Sequence, residues 1–223
     1  MSVNTMPATT TEDQTQVLSF DQFAGGATIA AGVLNFLYAV AFVIIARSNP
    51  QLGGLLSALC LLVSGLLVTT MVTALYQRLR AVDGAFALWA LLLGLVGTLG
   101  AAIHGGYDLG NAINPPALAG DLVTNLAALP SQIDPRGLTT FGVMGIALFV
   151  FTWLMSHQGG FPKGLVYLGY VFAILFVILY LARLIIFNPA NPLLLIPVLV
   201  TGFVVNPVWH IWLGLTLRRG VKA

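Results

Sequence analysis

The sequence predicts an all-α polytopic transmembrane bundle of six helices, with a short amphipathic helix in the long outer loop between the third and fourth spans. Three observations predict it. Only 7% of the 223 residues are charged and 58% are hydrophobic, more apolar side chain than a soluble chain of this length can bury. The apolar residues fall into six long runs, and about 20 such residues make one helical crossing of a bilayer. No run alternates with the period of two that a barrel strand needs, so each span must be a helix that satisfies its own backbone groups.

The runs cover residues 24–46, 55–76, 85–106, 138–156, 164–187 and 193–217. Turn-forming clusters separate them: Ser48-Asn49-Pro50, Gly159-Gly160-Phe161-Pro162 and Asn188-Pro189-Ala190-Asn191-Pro192. Residues 1–20 are polar and Thr-rich, without the basic and short apolar regions of a cleavable signal, and read as a disordered cytoplasmic tail. Residues 21–219 form a single six-span domain, and 220–223 a second cytoplasmic tail. The first run doubles as an uncleaved insertion signal.

Six spans place both termini on one side. That side receives Arg78, Arg80, Lys163, Arg218, Arg219 and Lys222; the other receives Arg47, Arg136 and Arg183. The positive-inside rule then puts the termini in the cytoplasm. In the long break over 107–136, Asn114-Pro115 has the form of an N-cap followed by a first-turn proline. Leu118, Leu122, Val123, Leu126 and Leu129 then share one face and Asp121, Thr124 and Asn125 the other, as in an interfacial helix ended by Pro130. It is either a lid over an outward cavity or a passive bridge between distant spans. An inverted repeat of three spans finds little support, since corresponding runs share only scattered glycines.

Small residues prepare close helix contacts. Gly94, Gly97 and Gly100 recur every three residues in span three, and Gly25, Thr28 and Gly32 line one side of span one. Asn35 is the most central polar side chain and should hydrogen-bond to a neighbouring helix; Tyr38 follows one turn later. Cys60 sits in an apolar run and reads as a packing residue. In span six, Pro207 removes a helical hydrogen bond and frees the Phe203 carbonyl, so a kink is expected there, with Trp209 and Trp212 as an interfacial belt.

The end of span three is the richest polar stretch. If the helix continues through Gly105-Gly106, then His104, Tyr107, Asp108 and Asn111 fall at i, i+3, i+4 and i+7 and share a face. Arg183 comes about 20 residues into span five, about 30 Å along it, and so at similar depth. These five residues form the candidate ligand-binding set, with Arg183 facing inward to pair with Asp108 or His104. The rival reading is a solvated helix end with Arg183 reaching to the headgroups. The three histidines stand at depths differing by on the order of 25 Å, which argues against haem or a shared metal site. No catalytic order of Ser, His and Asp, no phosphate-cradling loop and no zinc signature occurs, so no cofactor is implied and an enzyme is the third choice of function. The small net charge of +2 gives no reason to expect nucleic acid.

The stretches Phe161-Pro162-Lys163-Gly164-Leu165-Val166-Tyr167-Leu168-Gly169, Trp209-His210-Ile211-Trp212-Leu213-Gly214-Leu215-Thr216-Leu217-Arg218-Arg219 and Ala74-Leu75-Tyr76-Gln77-Arg78-Leu79-Arg80 resemble those of a loose group of bacterial multi-spanning proteins classed as a domain of unknown function. The chain departs from that group at Pro162-Lys163-Gly164, where Pro-Arg-Trp is frequent. The resemblance implies a bacterial plasma (inner) membrane and no activity. The leading expectation is a non-enzymatic protein that binds, senses or transports a small ligand through an outward-facing polar site. The alternative is a scaffolding or accessory subunit whose spans pack, within the lipid bilayer, against a partner membrane complex.

Overall fold

A computed structural model describes residues 11–114, 133–188 and 191–219, with side chains from Phe20 onward. The amphipathic helix expected over 115–129 lies outside the described residues. Those described are helical and contain no strand. Among the described residues six helices are long and apolar enough to cross a membrane: α1 Phe20–Ser48, α2 Pro50–Leu79, α3 Gly84–Ile113, α4 Leu138–Gln158, α5 Lys163–Ile185 and α6 Pro192–Arg219. Helix α1 is already helical from Thr11, within the segment expected as a tail.

Local chemistry explains where the helices begin. Asn49 caps α2, its side chain accepting from the Leu52 amide at 3.0 Å, with Pro50 in the first turn. Asp83 caps α3 by accepting from the Ala85 and Phe86 amides, and Asn191 caps α6 by accepting from Leu193, ahead of Pro192. Gly159 ends α4 in the left-handed region at φ 78°, where a side chain would be strained. Hydroxyls within the apolar helices satisfy themselves on the preceding turn, as Thr28 does on the Ala24 carbonyl at 2.6 Å and Thr73 on Thr69 at 2.8 Å.

Each helix packs on its neighbours in sequence, and α6 closes back on α1. The expected glycine faces make these contacts. A methyl at Gly25 would lie 2.7 Å from the Gly214 carbonyl of α6, and one at Gly97 would lie 2.8 Å from Met144 Cβ of α4. Gly105 abuts the α2 backbone in the same way, 2.8 Å from the Ala58 carbonyl. It therefore serves close approach rather than a break, and α3 runs unbroken to Ile113.

The largest fully buried side chains all lie in the half of the molecule that carries the termini. They fall between 71 and 79 on α2, 148 and 155 on α4, 165 and 172 on α5, and 209 and 217 on α6. Trp209 is among them, packed against Phe172 at 5.5 Å between ring centres. This corrects the interfacial belt: only Trp212 is substantially exposed, because Trp209 projects from the inner side of α6. The opposite half buries small residues, among them Ala39, Ala41, Ala58, Ala101 and Ala102, with Ser57 and Thr201, together with Met144, Phe176, Leu179 and Leu194.

Among the described residues, π-helical turns occur at Ala41–Ile45 in α1, Leu138–Val143 in α4 and Thr201–Val205 in α6. The last directly precedes Asn206-Pro207. The amide of Asn206 reaches back five residues to the Thr201 carbonyl, so a wider turn stands next to the proline at which a kink is expected.

Candidate functional site

The unbroken course of α3 places Gly97, Ala101, His104, Asp108 and Asn111 along one stripe. His104 Nε2 lies 3.0 Å from Asp108 Oδ2, one turn apart. The imidazole side chain is 14% exposed and the carboxylate 37%. Asn111 is half-buried on the same line, and Tyr107 is 37% exposed.

Arg183, in the last turn of α5, is half-buried and turned toward the start of α4. Its guanidinium lies 5.4 Å from the centre of the Phe141 ring, and its Nη2 is 3.5 Å from the Pro135 carbonyl. No carboxylate comes within ion-pair distance of it among the described residues. The direct Arg183–Asp108 or Arg183–His104 pair is therefore not formed: Asp108 has its partner on its own helix, while Phe141 and the turn before α4 hold the guanidinium. Tyr38 on α1 lies in the same half of the molecule, its ring stacked on Phe42 at 5.7 Å.

Asp134 braces the same end. It is 5% exposed, and it accepts from the Thr139 and Thr140 hydroxyls at 2.8 Å each and from the Thr140 and Thr139 amides at 3.0 and 3.4 Å. Burial pushes its pKa up, but these bonds outweigh burial and the net displacement is downward from 3.8. It is the cap of α4 across a π-helical first turn. The spacing of an aspartate five and six residues before a Thr-Thr pair could have revealed it.

Two further polar contacts hold the helices together. Asn35 Nδ2 donates to Asn206 Oδ1 at 2.9 Å, the cross-helix bond expected of Asn35. At the terminal end, Arg78 on α2 donates through Nε and Nη2 to Asp21 Oδ2 on α1 at 3.0 and 2.7 Å. Nη2 also reaches the Leu217 carbonyl of α6 at 2.9 Å, and Gln158 of α4 donates to the Arg78 carbonyl at 3.0 Å. Sequence reasoning placed Arg78 only as an interfacial positive charge, because a partner 57 positions away leaves no local signature.

Among the described residues no three His, Cys, Asp or Glu side chains gather at metal-binding distance. His210 is buried, its Nδ1 on the Asn206 carbonyl at 3.0 Å, and His157 is exposed at the end of α4. The fold is that of an all-helical protein with six helices of membrane-crossing length, and its polar end defines a candidate binding site. No protein-family model matches the chain, and neither a curated protein nor a solved structure is detectably similar to it.

Proposed function

We propose that this chain is a multi-pass protein of a bacterial plasma membrane, with both termini in the cytoplasm, and that it binds a small ligand at its outward-facing polar end in order to sense or move it. The observation that carries this reading is the asymmetry of packing. None of the largest fully buried side chains lies in the outer half, which instead holds Tyr38, His104, Asp108 and Arg183. Ionisable groups are costly at membrane depth, and where they occur they are functional candidates. A carboxylate and a guanidinium that do not neutralise each other offer a ligand both an acceptor and a donor.

The reading is tested on purified full-length protein in mild detergent. Thermal unfolding is followed against panels of amino acids, organic acids, sugars and nucleosides, with wild type beside Tyr38→Phe and Asp108→Asn. A compound that raises the unfolding midpoint of wild type, and does so less in both variants, supports the reading. A panel without effect on wild type, or an effect unaltered in the variants, overturns it. The scaffolding alternative would then gain, and a partner complex recovered with the wild-type chain from cross-linked membranes would favour it.

A further inference from the structure

Arg78, Arg136 and Arg183 are not treated alike. Arg78 has its carboxylate, Asp21, at 2.7 Å. Arg136 and Arg183, at the opposite end, have none within ion-pair distance among the described residues. Both are half-buried. Their hydrogen bonds are long and go to backbone: Arg136 Nη1 to the Arg183 carbonyl at 3.4 Å, and Arg183 Nη2 to the Pro135 carbonyl at 3.5 Å. Each guanidinium also lies against an aromatic ring, Arg136 at 4.6 Å from the centre of Phe187 and Arg183 at 5.4 Å from that of Phe141. Two acidic side chains described at this end are committed elsewhere, Asp134 to the Thr139 and Thr140 donors and Asp108 to His104. Neighbouring half-buried cations that are held by rings and spend few donors call for an anion. A guanidinium fork matches the oxygens of a phosphate, and membrane edges are where lipid phosphates lie.

We infer that Arg136 and Arg183 together form a seat for a phosphate group, either that of a phospholipid headgroup or that of a free phosphate compound. The inference extends the binding site proposed above by naming the chemistry of one part of its ligand, and rests on that reading only in placing Arg183 at the site's edge. Arg136 reaches the Arg183 carbonyl and Arg183 reaches the Pro135 carbonyl beside Arg136, so both side chains bridge the turn before α4 and the end of α5.

The test uses full-length protein in a non-ionic detergent. Its unfolding midpoint is titrated with sodium phosphate against sodium chloride at equal ionic strength, and with short-chain phosphatidylglycerol against a monoacylglycerol of the same chain length. A rise with both phosphate probes assigns a free phosphate compound, and a rise with the lipid alone assigns a headgroup. In Arg136→Gln and Arg183→Gln the half-saturating concentration should rise about tenfold, the loss of one charge-assisted contact. Arg183→Lys should lose less, since it keeps the charge and serves if the glutamine variant does not fold. No rise with either phosphate probe in wild type, or equal response in wild type and the arginine variants, overturns the seat. Tyr38→Phe and Asp108→Asn separate the two proposals. A phosphate response that depends on the arginines but not on these two leaves the seat standing and removes the deeper site. A response to some other compound that depends on Asp108 and not on Arg136 does the reverse.

Discussion

Arg78 and Asp21 join the end of α2 to the start of α1 through two hydrogen bonds onto one carboxylate oxygen, at 2.7 and 3.0 Å, with both side chains about nine-tenths buried. The same guanidinium donates to the Leu217 carbonyl near the end of α6, so three helices are fastened at one point. Removing one partner leaves a buried charge uncompensated, which costs about 3–5 kcal/mol. Arg78→Met and Asp21→Leu should each lower the unfolding midpoint in detergent strongly. The double variant should recover most of the loss, because the isolated charge is then gone. Additive losses would show that the pair is not a unit.

Asn35 and Asn206 present the milder case. Cross-helix hydrogen bonds in membrane proteins are worth about 0.6 kcal/mol on average. Asn35→Leu and Asn206→Leu should therefore each destabilise slightly, and a double-mutant cycle should return a coupling of about that size. A coupling of several kcal/mol would mean that the two side chains support more than each other.

At Asp134 the expected effect is one of pH. Its pKa is depressed in the folded protein, so its contribution to stability is present above the ordinary value of 3.8 and is lost as pH falls through the lower folded value. Wild type should lose stability more steeply than Asp134→Asn on acidification below about pH 4. At neutral pH the variant should be less stable by about 2 kcal/mol, the scale of hydrogen bonds to a charged acceptor. Parallel acid profiles for the two proteins would refute the account.

Asp108 should couple to His104 and not to Arg183. A cycle with His104→Ala and Asp108→Ala should be non-additive by about 0.5 kcal/mol or more, as for contacting residues, whereas Arg183→Ala with Asp108→Ala should add within about 0.5 kcal/mol. Strong coupling of Arg183 to Asp108 in unfolding experiments would restore the direct pair that the geometry lacks.

At Gly25 and Gly214 the helices α1 and α6 touch backbone to backbone. Gly214→Ala would place a methyl 2.5 Å from the Gly25 carbonyl oxygen, and neither atom belongs to a side chain that can turn away. The expected loss is about 1–3 kcal/mol, read as a lowered unfolding midpoint. Gly26→Ala, where a methyl meets nothing within 4 Å, should be close to neutral and serves as the control.

The sequence alone determined that the chain forms six apolar helices, where they break, and which glycines of α1 and α3 touch a neighbour; that His104 and Asp108 share a face of α3 depended on the helix running on through Gly105-Gly106. These are local properties: run length sets a crossing, Asn49-Pro50 or Asn191-Pro192 marks a helix boundary, and residues four apart meet on one side. Pro207 likewise marked a departure from regular helix, because the missing amide is a property of that residue. Only the tertiary structure decided which charge meets which. Asp21 finds Arg78 across 57 positions, Asn35 finds Asn206 across 171, and Arg183 turns to Phe141 rather than Asp108. Depth along a helix can be counted from the sequence, but the rotation of one helix against another cannot. That rotation follows from how the small residues of each interface fit together, and it is what buries Trp209 and turns Arg183 to Phe141.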